Sequence, residues 1–248
     1  MTAGPARRAG PTRERARPPS PPGADRAPAP GCPPGGSGHS PAATGPWLDG
    51  PEPAAREADR PPARDGAADR LPQAVLFDRD GTLVADVPYN GDPARVRPMP
   101  TAAAAVRAVR ARGIPVGVVS NQSGVARGLL TRRQVEAVQR RVDTLLGRFD
   151  VWAVCPHGPA DGCRCRKPAP GLVLAACRRL AVSPARTAVI GDIGADLAAA
   201  RAAGARGVLV PTSVTRPAET AAAEERAPDL LSAVRLVLGE CPTAAGHP

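Results

Sequence analysis

A doubly wound, parallel α/β sheet is the fold predicted for this 248-residue chain, on three observations. From residue 73 onward, short runs rich in β-branched residues alternate with helical patterns. The runs are apolar throughout, as expected of strands covered on both faces. Polar residues gather where the runs end, which is the carboxyl edge at which open α/β sheets bind ligands.

The elements follow in order. "QAVLF" (73–77) is the first strand. "TAAAAVRAVRARG" (101–113) is a helix with Val106 and Val109 on one face and Gly113 past its end. "PVGVVS" (115–120) is the second strand. "TRRQVEAVQRRVDTLLG" (131–147) opens with a T-x-x-Q capping box and sets Val135, Val138, Val142 and Leu145 on one stripe. "DVWAV" (150–154) is the third strand, and "PGLVLAACRRLAV" is a helix with Pro170 near its start. "TAVIGD" (187–192), the helix "ADLAAARAAG" and "GVLV" (207–210) complete the alternation. "APDLLSAVRLVLGE" is a terminal helix packed on the sheet.

The first 70 residues differ in kind. They hold 16 prolines and 10 glycines and almost no large apolar residue, so burial cannot offset their ordering entropy. Two regions are therefore expected: a disordered Pro/Gly/Ala/Arg-rich tail over 1–70 and a compact domain over 71–240. The tail's 10 arginines face 8 acids, so most of the net charge of +10 lies in the domain. There the arginines are spread along helix faces with few aromatics beside them, and nucleic acid is not an expected partner. No segment approaches the ~18 apolar residues of a membrane span, and the N-terminus lacks the apolar core of a signal peptide. Six cysteines, three of them within 155–165, do not read as a disulfide framework. A cytoplasmic, monomeric protein with no membrane partner is expected.

Four strand ends carry the chemistry. The first delivers Asp78 and Asp80, the second Ser120 and Asn121, the third a Cys/His cluster leading to Lys167, and the fourth Gly191 and Asp192. Lys167 is the only lysine in the chain. Two carboxylates at i, i+2, with a third from another strand, form a hard oxygen site suited to Mg²⁺. Such a cation offsets their repulsion and polarises a phosphoryl oxygen. Ser120 and Lys167 are the complement that phosphoryl transfer needs. One carboxylate can attack phosphorus while the second acid protonates the leaving alkoxide.

Cys155, His157, Cys163 and Cys165 form C-x-H-x5-C-x-C, a complete Cys₃His set for tetrahedral zinc. Four ligands leave no open position, so the expected Zn²⁺ is structural and folds a loop that aims Arg166 and Lys167 inward. Cys177 reads as helix core, and Cys32 and Cys241 as parts of mobile ends.

"DRDGT", "SNQSG", "RKP" and "GDIGAD" resemble the four motifs of the haloacid dehalogenase-like (HAD) phosphatases, over roughly residues 73–212. The likeness is nearest to the capless branch that contains heptose-bisphosphate phosphatase and histidinol phosphatase. It implies a Rossmann-like sheet with Asp78 as nucleophile and Asp80 as general acid/base. Ser120 and Lys167 would hold the phosphoryl group. Mg²⁺ would be held by Asp78, the main-chain carbonyl of Asp80, and Asp192, with Asp196 in support. By the same likeness Asp86, Tyr89, Asn121, Gln122, Ser123 and Arg166 contact a phosphorylated small-molecule substrate. "SNQSGVARG" and "DVPY" are similar to the heptose branch, whereas five residues between His157 and Cys163 lie closer to the histidinol branch. Ile193 stands where heptose enzymes carry a substrate-binding lysine, a place that Arg127 or Arg166 could fill. The resemblance implies a heptose 1,7-bisphosphate 7-phosphatase. The alternatives are a histidinol-phosphate phosphatase, a polynucleotide 3′-phosphatase and a non-catalytic sugar-phosphate sensor.

Overall fold

The computed structural model describes Met1, residues 45–51 and residues 71–240. The remainder of the expected tail, with Cys32 and Cys241, lies outside the described residues.

Among the described residues six strands form one sheet, in the order β1 (Trp47–Asp49)-β4-β3-β2-β5-β6. β2 (Ala74–Phe77), β3 (Val116–Asn121), β4 (Val151–Cys155), β5 (Thr187–Gly191) and β6 (Arg206–Leu209) run parallel. The chain winds outward from β2 to β4, returns to β5 and winds out the other way. The order therefore reverses between β2 and β5, and a ligand crevice belongs there.

Strand alternation divides the core in two. Val75 and Phe77 of β2, Val116 and Val118 of β3 and Ile190 of β5 face one side. There they meet α1 (Ala102–Ala111), α2 (Arg132–Leu146) and α6 (Leu230–Val237). Leu76, Val119 and Val189 face the other side, against α3 (Gly171–Leu180) and α4 (Gly194–Ala203). Helices on both faces explain why the strands carry no polar alternation.

The capping box of α2 is formed as predicted: Thr131 Oγ1 accepts from Gln134 N–H at 3.3 Å, and Gln134 Oε1 accepts from Thr131 N–H at 2.9 Å. Its buried stripe is Val135, Val138, Val142 and Leu146, with Leu145 partly buried at the margin. Cys177 is buried in α3 as expected. α5 (Pro217–Ala222) was not foreseen: six residues of "PAETAA" have no buried position and hence no apolar period.

The expected disorder of 1–70 needs one correction. Trp47–Asp49 forms β1, antiparallel to β4 with Trp47 opposite Val154. A three-residue strand within the four residues between Pro46 and Pro51 is too short to show a period, and its order comes from tertiary contact. Trp47 packs on the buried Leu130, Val135 and Val154. The Arg132 guanidinium lies 5.0 Å from its ring centroid. Arg179 donates to the Gly50 carbonyl at 2.6 Å.

Candidate active site

β2 and β5 end side by side at the reversal point and deliver Asp78 and Asp192. Asp78, Lys167, Asp192 and Asp196 are 7, 4, 4 and 0% exposed. Lys167 Nζ lies 2.6 Å from Asp78 Oδ1, 2.6 Å from Asp196 Oδ1 and 2.8 Å from the Val119 carbonyl. Burial pushes the Asp78 carboxyl up to about 8 despite Lys167, with Asp196, Asp80 and Asp192 adding repulsion. Burial and Asp196 raise Asp192 to about 7. The two acids flanking Lys167 raise its ammonium above the ordinary lysine value against the effect of burial.

Carboxylate oxygens of Asp78, Asp192 and Asp196 lie within 4.8 Å of one another, a hard donor set that fits a magnesium ion. Glycine makes the grouping possible. Gly81 has φ +80°, and a Cβ there would overlap the Asp192 carboxylate. A Cβ on Gly191 would overlap Asp196.

Asp80 points elsewhere. Arg79, itself buried, donates from Nε to both Asp80 oxygens at 3.1 and 3.0 Å, and its Nη2 lies 2.9 Å from Oδ2. Gln122 Nε2 donates to Asp80 Oδ2 at 3.0 Å and to Ser120 Oγ at 2.9 Å. One amide thus ties the end of β3 to the second acid of β2.

Asn121, expected to line the pocket, is committed to Lys167. It accepts from the Lys167 N–H at 3.0 Å and donates to the Lys167 carbonyl at 3.1 Å. Asp86 and Tyr89 are exposed at the rim, with Ser123 and Arg166 partly buried. Asp86 is raised by partial burial and by Asp80. Arg127 donates to Tyr89 Oη at 2.7 Å and lies 5.5 Å from its ring centroid. Ile193 stands at the end of β5, and its N–H donates to Asp196 Oδ2 at 3.3 Å.

Three contributors escaped the sequence reading. Arg79 was visible only as the residue between two acids. Thr82 directly follows Gly81, and its hydroxyl is 3.4 Å from Asp192 Oδ1. Thr215 donates to the Asp192 carbonyl at 2.6 Å from a loop with no local signal.

β4 ends in Cys155, and the loop after it gathers the other three predicted ligands. Their Sγ and Nδ1 atoms are 3.1 to 3.7 Å apart in the close pairs. A zinc tetrahedron with Zn–S of ~2.3 Å has edges near ~3.8 Å, so the set fits the ion through His157 Nδ1. Hydrogen bonding from Cys155 lowers the Cys165 thiol to about 5 and correspondingly raises Cys155. Cys165 is two residues before Lys167, so the cluster anchors the segment that carries the lysine.

Residues 164–235 match the HAD-hydrolase-like family model. The chain is 40% identical over 152 residues to D-glycero-β-D-manno-heptose-1,7-bisphosphate 7-phosphatase of Rhodopseudomonas palustris, covering 57% of this chain and 84% of that protein. The enzyme of the same name from Escherichia coli K12 is 36% identical over 163 residues, covering 60% and 85%. Among solved structures, a D,D-heptose 1,7-bisphosphate phosphatase from Bordetella bronchiseptica, complexed with magnesium and phosphate, superposes with a TM-score of 0.60. It is 29% identical over 68% of this chain and 99% of that one. A HAD-like phosphatase from Mesorhizobium loti gives 0.60 at 34% identity, over 78% and 93%. Paired acids after β2, a lysine held between carboxylates and relatives matched over most of their length lead to one assignment: the chain belongs to the HAD-like phosphatases and is a phosphoric monoester hydrolase.

Proposed function

We propose that the chain removes the 7-phosphate from D-glycero-D-manno-heptose 1,7-bisphosphate, acting as a cytoplasmic monomer through an aspartyl-phosphate. The observation that carries this reading is the buried Asp78–Lys167–Asp196 chain beside Asp192, in a fold shared with heptose-bisphosphate phosphatases. No helix among the described residues is long and apolar enough to cross a membrane.

Ser120 and Lys167 bind and orient the phosphoryl group, Lys167 being held charged by Asp196. An Asp78 oxygen attacks phosphorus as the bond from phosphorus to the sugar oxygen breaks, and Asp80 gives that oxygen its proton. Water then attacks phosphorus, Asp80 takes its proton, and the acyl-phosphate P–O bond breaks to release phosphate and the Asp78 carboxylate. Arg79 and Gln122 set the Asp80 carboxylate beside Ser120 for both transfers. Asp78, the Asp80 carbonyl and Asp192 would hold Mg²⁺, which neutralises phosphate charge and polarises a phosphoryl oxygen when bound. Cys155, His157, Cys163 and Cys165 would hold Zn²⁺ and close their loop around it, with no position left open for chemistry. Asp86, Tyr89, Ser123 and Arg166 face the sugar, with Gln122 and Asn121 acting through Asp80 and Lys167.

Comparison of kcat/KM on both anomers of heptose 1,7-bisphosphate, on histidinol phosphate and on a 3′-phosphorylated oligonucleotide tests the proposal. A heptose bisphosphate is expected to lead the other classes by about 10⁴-fold, the scale on which a site built to hydrogen-bond its substrate rejects analogues lacking those groups. Histidinol phosphate, favoured by the five-residue His157–Cys163 spacing, overturns the substrate if it leads.

A further inference from the structure

β1 lies outside the alternating strand-and-helix pattern that makes the catalytic domain, yet its anchor reaches the loop after β3. Trp47 and Val125 both pack against the cluster of Leu130, Val135 and Val154. Leu130 is the link. Its N–H and that of Leu129 donate to the Gly124 carbonyl at 3.1 and 2.8 Å, closing the loop 122–130 on itself. Its side chain lies so near Gly124 that a Cβ there would come within 2.9 Å of it. The same Cβ would come within 2.9 Å of the Tyr89 ring, so Leu130 and Tyr89 flank the Gly124 backbone. Gly124 is two residues from Gln122, which holds Asp80 and Ser120. A packed path therefore runs from Trp47 through Leu130 and Gly124 to the residues that face the phosphoryl group.

Two features make this docking specific. The Arg132 guanidinium stacks on the Trp47 ring, and Arg132 also reaches Asp49 at 3.8 Å and Glu136 at 2.7 Å, so one side chain from the start of α2 holds both ends of β1. Gly50, at φ +134°, sits where a Cβ would be 2.5 Å from the Asp150 carbonyl oxygen, and Arg179 donates to the Gly50 carbonyl. Leu48 points away from the cluster and is exposed.

We propose that Trp47 is a positioning residue for the hydrolase: by packing beneath Leu130, the N-terminal strand β1 fixes the loop 122–130 that aligns Gln122, Ser123 and Tyr89 at the phosphorylated substrate. The proposal rests on the placing of the substrate against that loop given above. A segment that composition marks as disordered tail thereby becomes part of the substrate-binding apparatus.

Trp47→Ala, Trp47→Phe and the control Leu48→Ala, each in the full chain, test it by amide hydrogen exchange and by steady-state kinetics. In Trp47→Ala, exchange of the Leu129 and Leu130 amides is expected to quicken about tenfold while β2 and β5 keep their protection, because only the loop loses its support. KM for heptose 1,7-bisphosphate and for p-nitrophenyl phosphate should rise about tenfold with kcat within threefold. That is milder than the ~100-fold that displacing a reacting group costs. Trp47→Phe should recover both readouts, and Leu48→Ala should match wild type. Unchanged loop exchange, faster exchange with unchanged KM, or an equal loss of protection across the whole sheet would overturn the proposal. If the protein turns over the aryl phosphate and no heptose bisphosphate, the substrate assignment fails while the exchange and aryl-phosphate readouts still decide the role of Trp47.

Discussion

The floor of the site and its rim are built on different physical terms. On the floor, Asp78, Lys167, Asp192 and Asp196 are buried, and each contacts another charged member within hydrogen-bond or metal-ligand range. On the rim, Asp86, Tyr89 and Arg127 are exposed, and the hydrogen bond and cation–π contact between Arg127 and Tyr89 are screened by solvent. Charge on the floor is costly to bury, and in the proposed function a cation and a phosphate would offset that cost. Charge on the rim costs little and is free to vary with the substrate. In the proposed function the floor would thus specify the reaction and the rim what undergoes it.

The sharpest way to separate the two is to remove the proposed nucleophile alone. Asp78→Asn should lower kcat by on the order of 10⁴-fold or more, as loss of a covalent nucleophile does. The fold should survive: burial and neighbouring acids already press Asp78 toward its neutral form, and Lys167 keeps Asp196 as a partner. Turnover within tenfold of wild type, in a variant with native circular dichroism, would remove Asp78 from that role.

A second expectation uses the crowding on the floor. With no metal bound, Asp78 and Asp192 titrate at about 8 and about 7, far above the ordinary carboxylate value of 3.8. A carboxyl with a raised folded-state pKa contributes its full stability below about pH 4 and loses it as pH rises through 7 to 8. Lys167, raised in turn, stays charged throughout that window and adds no slope. Melting in chelator should therefore fall between pH 5 and pH 8, and magnesium should raise the melting temperature more at pH 8 than at pH 5. Equal magnesium shifts at the two pH values would mean that the crowded carboxylates are not where the ion binds.

How far all this could be read from the chain alone follows the same division. The floor was legible because strand ends place a few residue types at fixed offsets: Asp78 and Asp80 after "QAVLF", Asp192 after "TAVIG". The Cys/His set was legible because its four ligands lie within eleven residues. Contacts spanning long sequence separations were not. Nor was the adjacent Arg79–Asp80 pair, which in sequence looks like an arginine between two acids that must be solvated. The pairing of Asn121 with the Lys167 main chain, 46 residues away, has no local trace, so its amide read as a substrate contact. β1 was lost for the opposite reason: three ordered residues in a proline-rich stretch carry no period, and only the Leu130 cluster and Arg132 show why they dock.

The smallest effect expected lies on the rim. Ile193 offers no charge for a second phosphate at the end of β5, whereas Arg127 presents a guanidinium beside Tyr89, on the loop that follows Ser120. Arg127→Ala should leave stability within about 0.5 kcal/mol, as exposed substitutions do. It should raise KM for a heptose bisphosphate three- to tenfold, the scale of one partly solvated charge pair of about 1 kcal/mol. A heptose carrying only the 7-phosphate should show almost no change, because the arginine would act on the other phosphate. Ionic strength gives the same contrast without a mutation: added salt should weaken the bisphosphate more than the monophosphate in wild type, and equally in Arg127→Ala. An equal rise of KM for both substrates in Arg127→Ala would show instead that the arginine acts through Tyr89 on the shape of the pocket.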